Sequence, residues 1–237
     1  MRPQRILFVS IVLVLITLLS SGCNMDRSGK KRSRETVTDI DGNIYPTVKI
    51  GRQTWMSANL AVTHYNDGVK IPEVRDASEW YKLESPGYCW YENDSAVFAK
   101  KFGALYNYHS IQTGKLCPEG WRVPSSEDFK ALLSHLDVDA DFVKHEVSQN
   151  AGGKMKSVDT LSWVQPNVGA NNESGFSALP GGCRSYAGNF SMLGSFGYYG
   201  AADNETSLAF RSATGSAFMR DKVSGYVGVS VRCIKKK

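Results

Sequence analysis

Fourteen residues near the start of the chain, Ile6–Leu19, are apolar except for Ser10 and Thr17, and the run closes on Ser20-Ser21-Gly22-Cys23. A helix of that length covers about 21 Å, short of the ~30 Å hydrocarbon core of a bilayer. With Arg2 and Arg5 ahead of it and small residues behind it, the run has the proportions of a secretory signal rather than of a membrane span. The rest of the chain is therefore expected outside the cytoplasm, where cysteines oxidise.

Small residues running into a cysteine resemble the lipobox of bacterial lipoproteins. The resemblance implies cleavage after Gly22 and a diacylglyceryl group on Cys23; the competing reading is an uncleaved anchor with an incidental cysteine. Ser20 stands where an aliphatic residue is usual, with Leu19 just upstream. Residues 24–35 then carry Arg27, Lys30, Lys31, Arg32 and Arg34 against Asp26 and Glu35, with Met25 as the only large apolar side chain. Such a run buries too little apolar surface to fold and reads as a basic tether. Of the 28 basic residues two lie in the signal and five in the tether; of the 23 acidic residues two lie in the tether, so 21 of each remain. The formal charge of +5 thus belongs to the ends. A nucleic-acid surface is not indicated, and the tether is suited to anionic headgroups. The expected layout is a lipoprotein signal peptide over 1–22, a lipidated tether over 23–35 and one domain over 36–237.

With 42% hydrophobic and 22% charged residues the 237-residue chain is neither disordered nor collagen-like. A domain of about 200 residues buries roughly 70% of its unfolded surface and needs no metal to hold a core. Asp41-Gly42 between Val37–Ile40 and Ile44–Ile50 predicts a hairpin, and Gly51-Arg52 a second turn before Gln53–Met56. Phe98, Phe102 and Leu105 recur at helical spacing, so 95–108 is expected to be helical in part. The clearest helix follows Pro124. Ser125 with Asp128 makes a capping box, and Phe129, Leu132, Leu133 and Leu136 share one face. Val227, Val229, Val231 and Cys233 alternate with Gly228, Ser230 and Arg232, the pattern of a half-buried strand.

Cys89, Cys117, Cys183 and Cys233 suggest two disulfides with three connectivities open. They contain no CxxC, which argues against zinc. His64, His109, His135 and His145 form no HxxxH pair, and no GxSxG occurs, so no catalytic residue is singled out. A Cys-His enzyme whose partners meet only in space stays open. Pro180-Gly181-Gly182 reads as a tight turn. Gln165, Asn167, Asn171, Asn172 and Glu173 gather oxygen donors that suit a weak calcium site with one charged ligand, or else satisfy turn backbone. Tyr186, Phe190, Phe196, Tyr198 and Tyr199 form either a sugar-stacking platform or ordinary core.

Several blocks carry a family resemblance. Asp39–Tyr45, Thr47–Gly51, Gln53–Met56 and Asn59-Leu60 resemble the opening of the Fibrobacter succinogenes major paralogous domain. Tyr88–Tyr91, Gly103–Asn107 and Cys117–Pro124 resemble its middle, and Gly175–Gly182 and Ser230–Cys233 its end. The match runs in order from about Thr36 to Ile234; Cys183 stands where the family commonly has tyrosine. The resemblance implies an exported lipoprotein of Bacteroidetes or their relatives, of unestablished activity.

The Trp-Arg-x-Pro entry to the helix and the Val-Arg-Cys exit also resemble C-type lectin-like domains at fold level, although the Trp-Asn-Asp calcium motif of sugar-binding lectins is missing. That likeness implies an α+β fold: a single C-type lectin-like domain with short antiparallel strands, one clear amphipathic helix and long loops. It further implies a Cys117–Cys233 disulfide, which leaves Cys89 to pair with Cys183.

The functional expectation is a cell-envelope lipoprotein, palmitate-bearing and held at the outer membrane with its face left open, carrying a noncatalytic binding or adhesion module for glycan or protein. The alternatives are a polysaccharide-acting enzyme and a structural subunit of a surface assembly. Recognition residues concentrate on loops held by a rigid scaffold. The segment Gln165–Tyr199 is therefore the expected binding face, with Asn167, Asn172, Glu173, Tyr186 and Tyr199 as candidate ligand-binding residues. No cofactor is expected beyond weak calcium, and the metal question is left open.

Overall fold

A computed structural model describes residues 35–81, 83–140, 147–203, 206–220 and 227–237. The signal segment, Cys23, nearly all of the tether and His145 lie outside them. Among the described residues no helix is long and apolar enough to cross a membrane.

The expected meander is present. β1 (Thr36–Thr38) pairs antiparallel with β2 (Ile44–Ile50), which pairs with β3 (Gln53–Met56) through Val48 opposite Trp55. The first turn is fastened by Asp39, whose carboxylate accepts from the backbone N–H of Asp41 and Asn43, from Asn43 Nδ2 and from the Tyr45 hydroxyl. The second needs Gly51 at φ 57°, where a Cβ would stand 3.0 Å from the His135 ring. Trp55 and Met56 are both buried, because β3 has core on both faces. Met56 packs with Leu60, Tyr106, Trp121 and Val231, whereas Trp55 packs with Phe129, Leu132, Met155 and Phe176.

After the loops that follow β3 come α1 (Ala77–Tyr81), β4 (Tyr88–Cys89) and α2 (Ser95–Phe102). α2 is shorter than the spacing of Phe98, Phe102 and Leu105 predicts. Gly103 at φ 71° ends it beside the Leu60 carbonyl, and Leu105 lies instead in β5 (Leu105–Tyr106), paired with Cys89. α3 (Tyr108–Gln112) and β6 (Trp121–Arg122) lead to α4 (Ser126–Leu136). α4 starts as expected: Ser125 accepts from the Asp128 N–H, and the Asp128 carboxylate accepts from the Ser125 N–H at 2.7 Å. Phe129, Leu132 and Leu133 are fully buried, each contributing about 1.5–3 kcal/mol.

β7 (Val147–Ser148), α5 (Ala151–Met155), the hairpin of β8 (Cys183–Arg184) with β9 (Phe190–Ser191), and β10 (Phe196–Gly200), β11 (Ser207–Arg211) and β12 (Ala217–Arg220) follow. β10, β11, β12 and β7 form an antiparallel sheet in that order. β13 (Ile234–Lys235) inserts between β3 and β6, closing the order β1-β2-β3-β13-β6. Helices and antiparallel sheets in one domain make the fold α+β.

The final stretch departs from the half-buried strand predicted for it. Ser230 and Arg232 are as buried as Val229 and Val231. Residues 228–230 run between other segments, bridging Arg184, Tyr106 and Tyr199, so both faces meet protein. Cys117 and Cys233 are joined by a disulfide across 116 residues, as the lectin-like resemblance implies.

The second expected bridge is corrected: Cys89 and Cys183 are free thiols. Successive strand residues point to opposite faces. On β8 it is Arg184, not Cys183, that reaches the Trp80 ring and the Cys89 thiol. Cys183 turns the other way, with its Sγ 3.6 Å from Ser191 Oγ.

Candidate functional site

Three buried cations organise the long connections between these elements, and none has a carboxylate within ion-pair distance among the described residues. Arg232 donates to Asn59 Oδ1 and to the carbonyls of Phe176 and Ser177, with its guanidinium 4.5 Å from the Phe176 ring centre. Arg184 donates to the carbonyls of Val74, Arg75 and Gly188, and lies between the rings of Trp80 and Phe190. Lys156 donates to the carbonyls of Val168, Arg211 and Thr214 at 2.8–2.9 Å. Burial pulls the Lys156 ammonium down to about 8. Apart from the Arg232 bond to Asn59, these donors are spent on backbone carbonyls of loops and of the end of β11, which buried backbone must have paired.

Lys156 fixes one loop surface in particular. The segment 157–168 is held by Asn167 Nδ2 donating to the Ser157 carbonyl, by the Asp159 carboxylate accepting from the N–H groups of Leu161 and Ser162, and by Trp163 Nε1 donating to the Ala178 carbonyl. Val164 N–H donates to the Gly194 carbonyl, which ties the segment to the turn 192–195. Val168 N–H donates to the Ser212 carbonyl, and Ser212 N–H to that of Ser195. The segment is thus tied down at points along its length. The side chains of Val158, Leu161, Val164, Val168 and Met192 nevertheless face solvent, Leu161 at 87% exposure.

The five expected binding residues do not assemble into one face. Tyr199 is corrected outright: it is fully buried, its hydroxyl accepting from the Leu179 N–H and donating to the Leu179 carbonyl. The amides of Asn167 and Asn172 serve the fold, the latter donating to Ser177 Oγ and accepting from the Ser177 N–H. Asn171 Oδ1 accepts from the Glu173 N–H, so these oxygens of the calcium expectation are engaged in turns. Glu173 is exposed, and Tyr186 is 57% exposed on the β8–β9 turn. The aromatic platform is likewise divided. Phe190 packs on Tyr91, Tyr199 sits in the core with Phe210, and Tyr198 is buried with Phe196 stacked against it. No group of three or more metal-ligating side chains is present among the described residues.

Sequence reasoning missed Lys156, Arg184 and Arg232. Only Arg232 left a signal, in the Val-Arg-Cys block, and there the alternation pointed it outward. His64 is held by Asp41 at 2.6 Å and by Thr63, joining the loop after β3 to the first hairpin.

These features define an α+β domain with short sheets and extended, internally braced loops. Its sequence matches the model of the Fibrobacter succinogenes major domain over residues 48–235, and the chain belongs to that family. No curated protein matches the chain, and no solved structure does, so the lectin-like resemblance rests on sequence motifs alone.

Proposed function

We propose that the chain is a noncatalytic binding module of the cell envelope, carried on a lipid at Cys23 and taking a glycan or protein ligand through the loops 157–168 and 192–195. The observation that carries this reading is the contrast within those loops: their backbone is braced by Lys156, Asp159 and Asn167, while Leu161, Val164 and Met192 are left in solvent. Ordering apolar side chains on a fixed backbone before contact lowers the entropic cost of binding. Placing them on loops above a rigid core is how recognition surfaces are commonly built. The anchor follows from the lipobox resemblance, and the basic tether then lies against the outer-membrane surface.

Two measurements test this. Metabolic palmitate labelling is expected to mark the wild-type chain and to vanish in Cys23→Ala. The labelled full chain, applied to arrayed envelope and plant glycans and envelope proteins, is expected to be retained with no hydrolysis product released. Turnover of any retained glycan would contradict a noncatalytic role.

A further inference from the structure

The sheet face opposite Trp55 and α4 carries a continuous stack of charged and aromatic side chains. Phe196 lies directly across from Arg211, Tyr198 from Ala209, Ala209 from Phe218 and Ser207 from Arg220. The Arg211 guanidinium sits 5.4 Å from the Phe196 ring centre and 4.8 Å from that of Phe218. Phe196 and Tyr198 are stacked at 5.5 Å with 8° between their planes, and the Arg220 guanidinium lies 5.5 Å from the Tyr198 ring. The order is Phe218, Arg211, Phe196, Tyr198, Arg220. Both arginines are exposed, and neither has a carboxylate within ion-pair distance among the described residues.

The stacking decides which atoms are left for a ligand. An aromatic ring is negative on its face and positive at its edge. Here Tyr198 is buried and Phe196 and Phe218 are packed partly into the core, so the groups left to a ligand are the exposed guanidinium N–H groups of Arg211 and Arg220 on either side of Phe196 and Tyr198. A guanidinium packed against a ring has less freedom to lose on binding, and its planar fork suits bidentate contact with an oxyanion. The stack is also fixed to the core, since Lys156 holds the Arg211 carbonyl, and it adjoins the braced loops through the bond from Ser212 to Ser195.

We propose that this face binds an anionic polysaccharide, its carboxylate or sulfate groups seated on Arg211 and Arg220. The proposal rests on the binding-module reading and names the ligand class for the surface beside the loops. Two exposed guanidinium groups spaced along one sheet face fit successive charges of a linear polyanion. Protein partners instead rely on large side chains anchored in desolvated pockets, and a membrane offers a plane of charge rather than a line.

The test is affinity electrophoresis of the full chain in gels containing polygalacturonate or dextran sulfate, which separates carboxylate from sulfate. Wild type is expected to be retarded by at least one of them, less so as salt rises. Arg211→Gln and Arg220→Gln should each weaken binding at least about tenfold, and the double variant should abolish it with the melting transition unchanged. The proposal is overturned if wild type is retarded by neither polymer, if the double variant behaves as wild type, or if polyglutamate or anionic vesicles bind more tightly than both polysaccharides. Should either variant fail to fold, binding by wild type that is insensitive to salt also overturns it. Retention of neutral glycans or proteins without polyanion binding sinks this proposal and leaves the module reading standing. Retention of nothing at all sinks both.

Discussion

Lys156 Nζ lies 5.3 Å from the ring centre of Trp163 and holds the carbonyls of Val168, Arg211 and Thr214. One buried ammonium therefore joins the loop 157–168, the end of β11 and the turn beyond it. Lys156→Met removes the shared donor of three part-buried carbonyls and is expected to cost about 3 kcal/mol, read from urea unfolding. The pH dependence has a definite sign. The native ammonium titrates at about 8 and an unfolded lysine near 10.4, so between these values the unfolded chain holds more protons. The stability advantage of wild type over Lys156→Met should then grow from about pH 8 towards 10. An advantage that shrinks over that window contradicts the burial of this charge.

Buried phenols act in the opposite direction. Burial raises Tyr45, Tyr65, Tyr88, Tyr91, Tyr106, Tyr198 and Tyr199 above the usual tyrosine value, with Tyr88 at about 12. Above about pH 10 the unfolded chain ionises these groups while the native chain keeps them neutral, so stability is present below that pH and lost above it. Near-ultraviolet absorbance during an alkaline titration should show these phenols ionising late and together with unfolding. Seven early, reversible ionisations would contradict the packing.

Thiol chemistry separates the four domain cysteines. Peptide mapping without reduction is expected to find Cys117 linked to Cys233 alone. Cys183, partly exposed, should alkylate in the native protein. Cys89, fully buried and with its thiol pushed up to about 12 by burial, should react only on unfolding. Because the bridge closes 116 residues, Cys117→Ser with Cys233→Ser should lower stability by about 4–5 kcal/mol in the chain-entropy model. A linked Cys89–Cys183 peptide from native protein would contradict the opposed directions of Cys183 and Arg184.

The start of α4 tests a feature legible in the sequence. Ser125→Ala should cost about 1 kcal/mol. Burial pushes the Asp128 carboxyl up, but Arg122, at 2.5 and 2.9 Å, and the Ser125 donors outweigh it and hold the carboxyl below its usual value. Its contribution is therefore complete above about pH 4 and lost as pH falls through the native value. Asp128→Asn should flatten that acid limb in a stability-against-pH profile; an unchanged limb would contradict the pairing.

What could be read in advance was local. The turns at Gly42 and Gly51, the box at Ser125 and Asp128, and the stripe of Phe129, Leu132 and Leu133 each follow from neighbours in the chain. The spacing that placed Leu105 on a helix failed because Gly103 ends it against the Leu60 carbonyl, a contact set by distant residues. Alternation points Arg232 outward because it reports burial on one face only, and this segment is covered on both. Tyr199 belonged to the core for the same reason: whether an aromatic in a glycine-rich stretch meets solvent is decided by the strand packed over it. Lys156 has no signature in the sequence, since its partners are carbonyls up to 58 residues away.

The direct test of the binding account is one comparison on the same glycan and protein arrays: wild type against a variant carrying Leu161→Ser, Val164→Ser and Met192→Ser. These side chains are in solvent, so their loss should leave the melting transition near that of wild type. The account predicts that ligands retained by wild type are lost, or weakened at least about tenfold, in the variant. Equal retention by both proteins would contradict it.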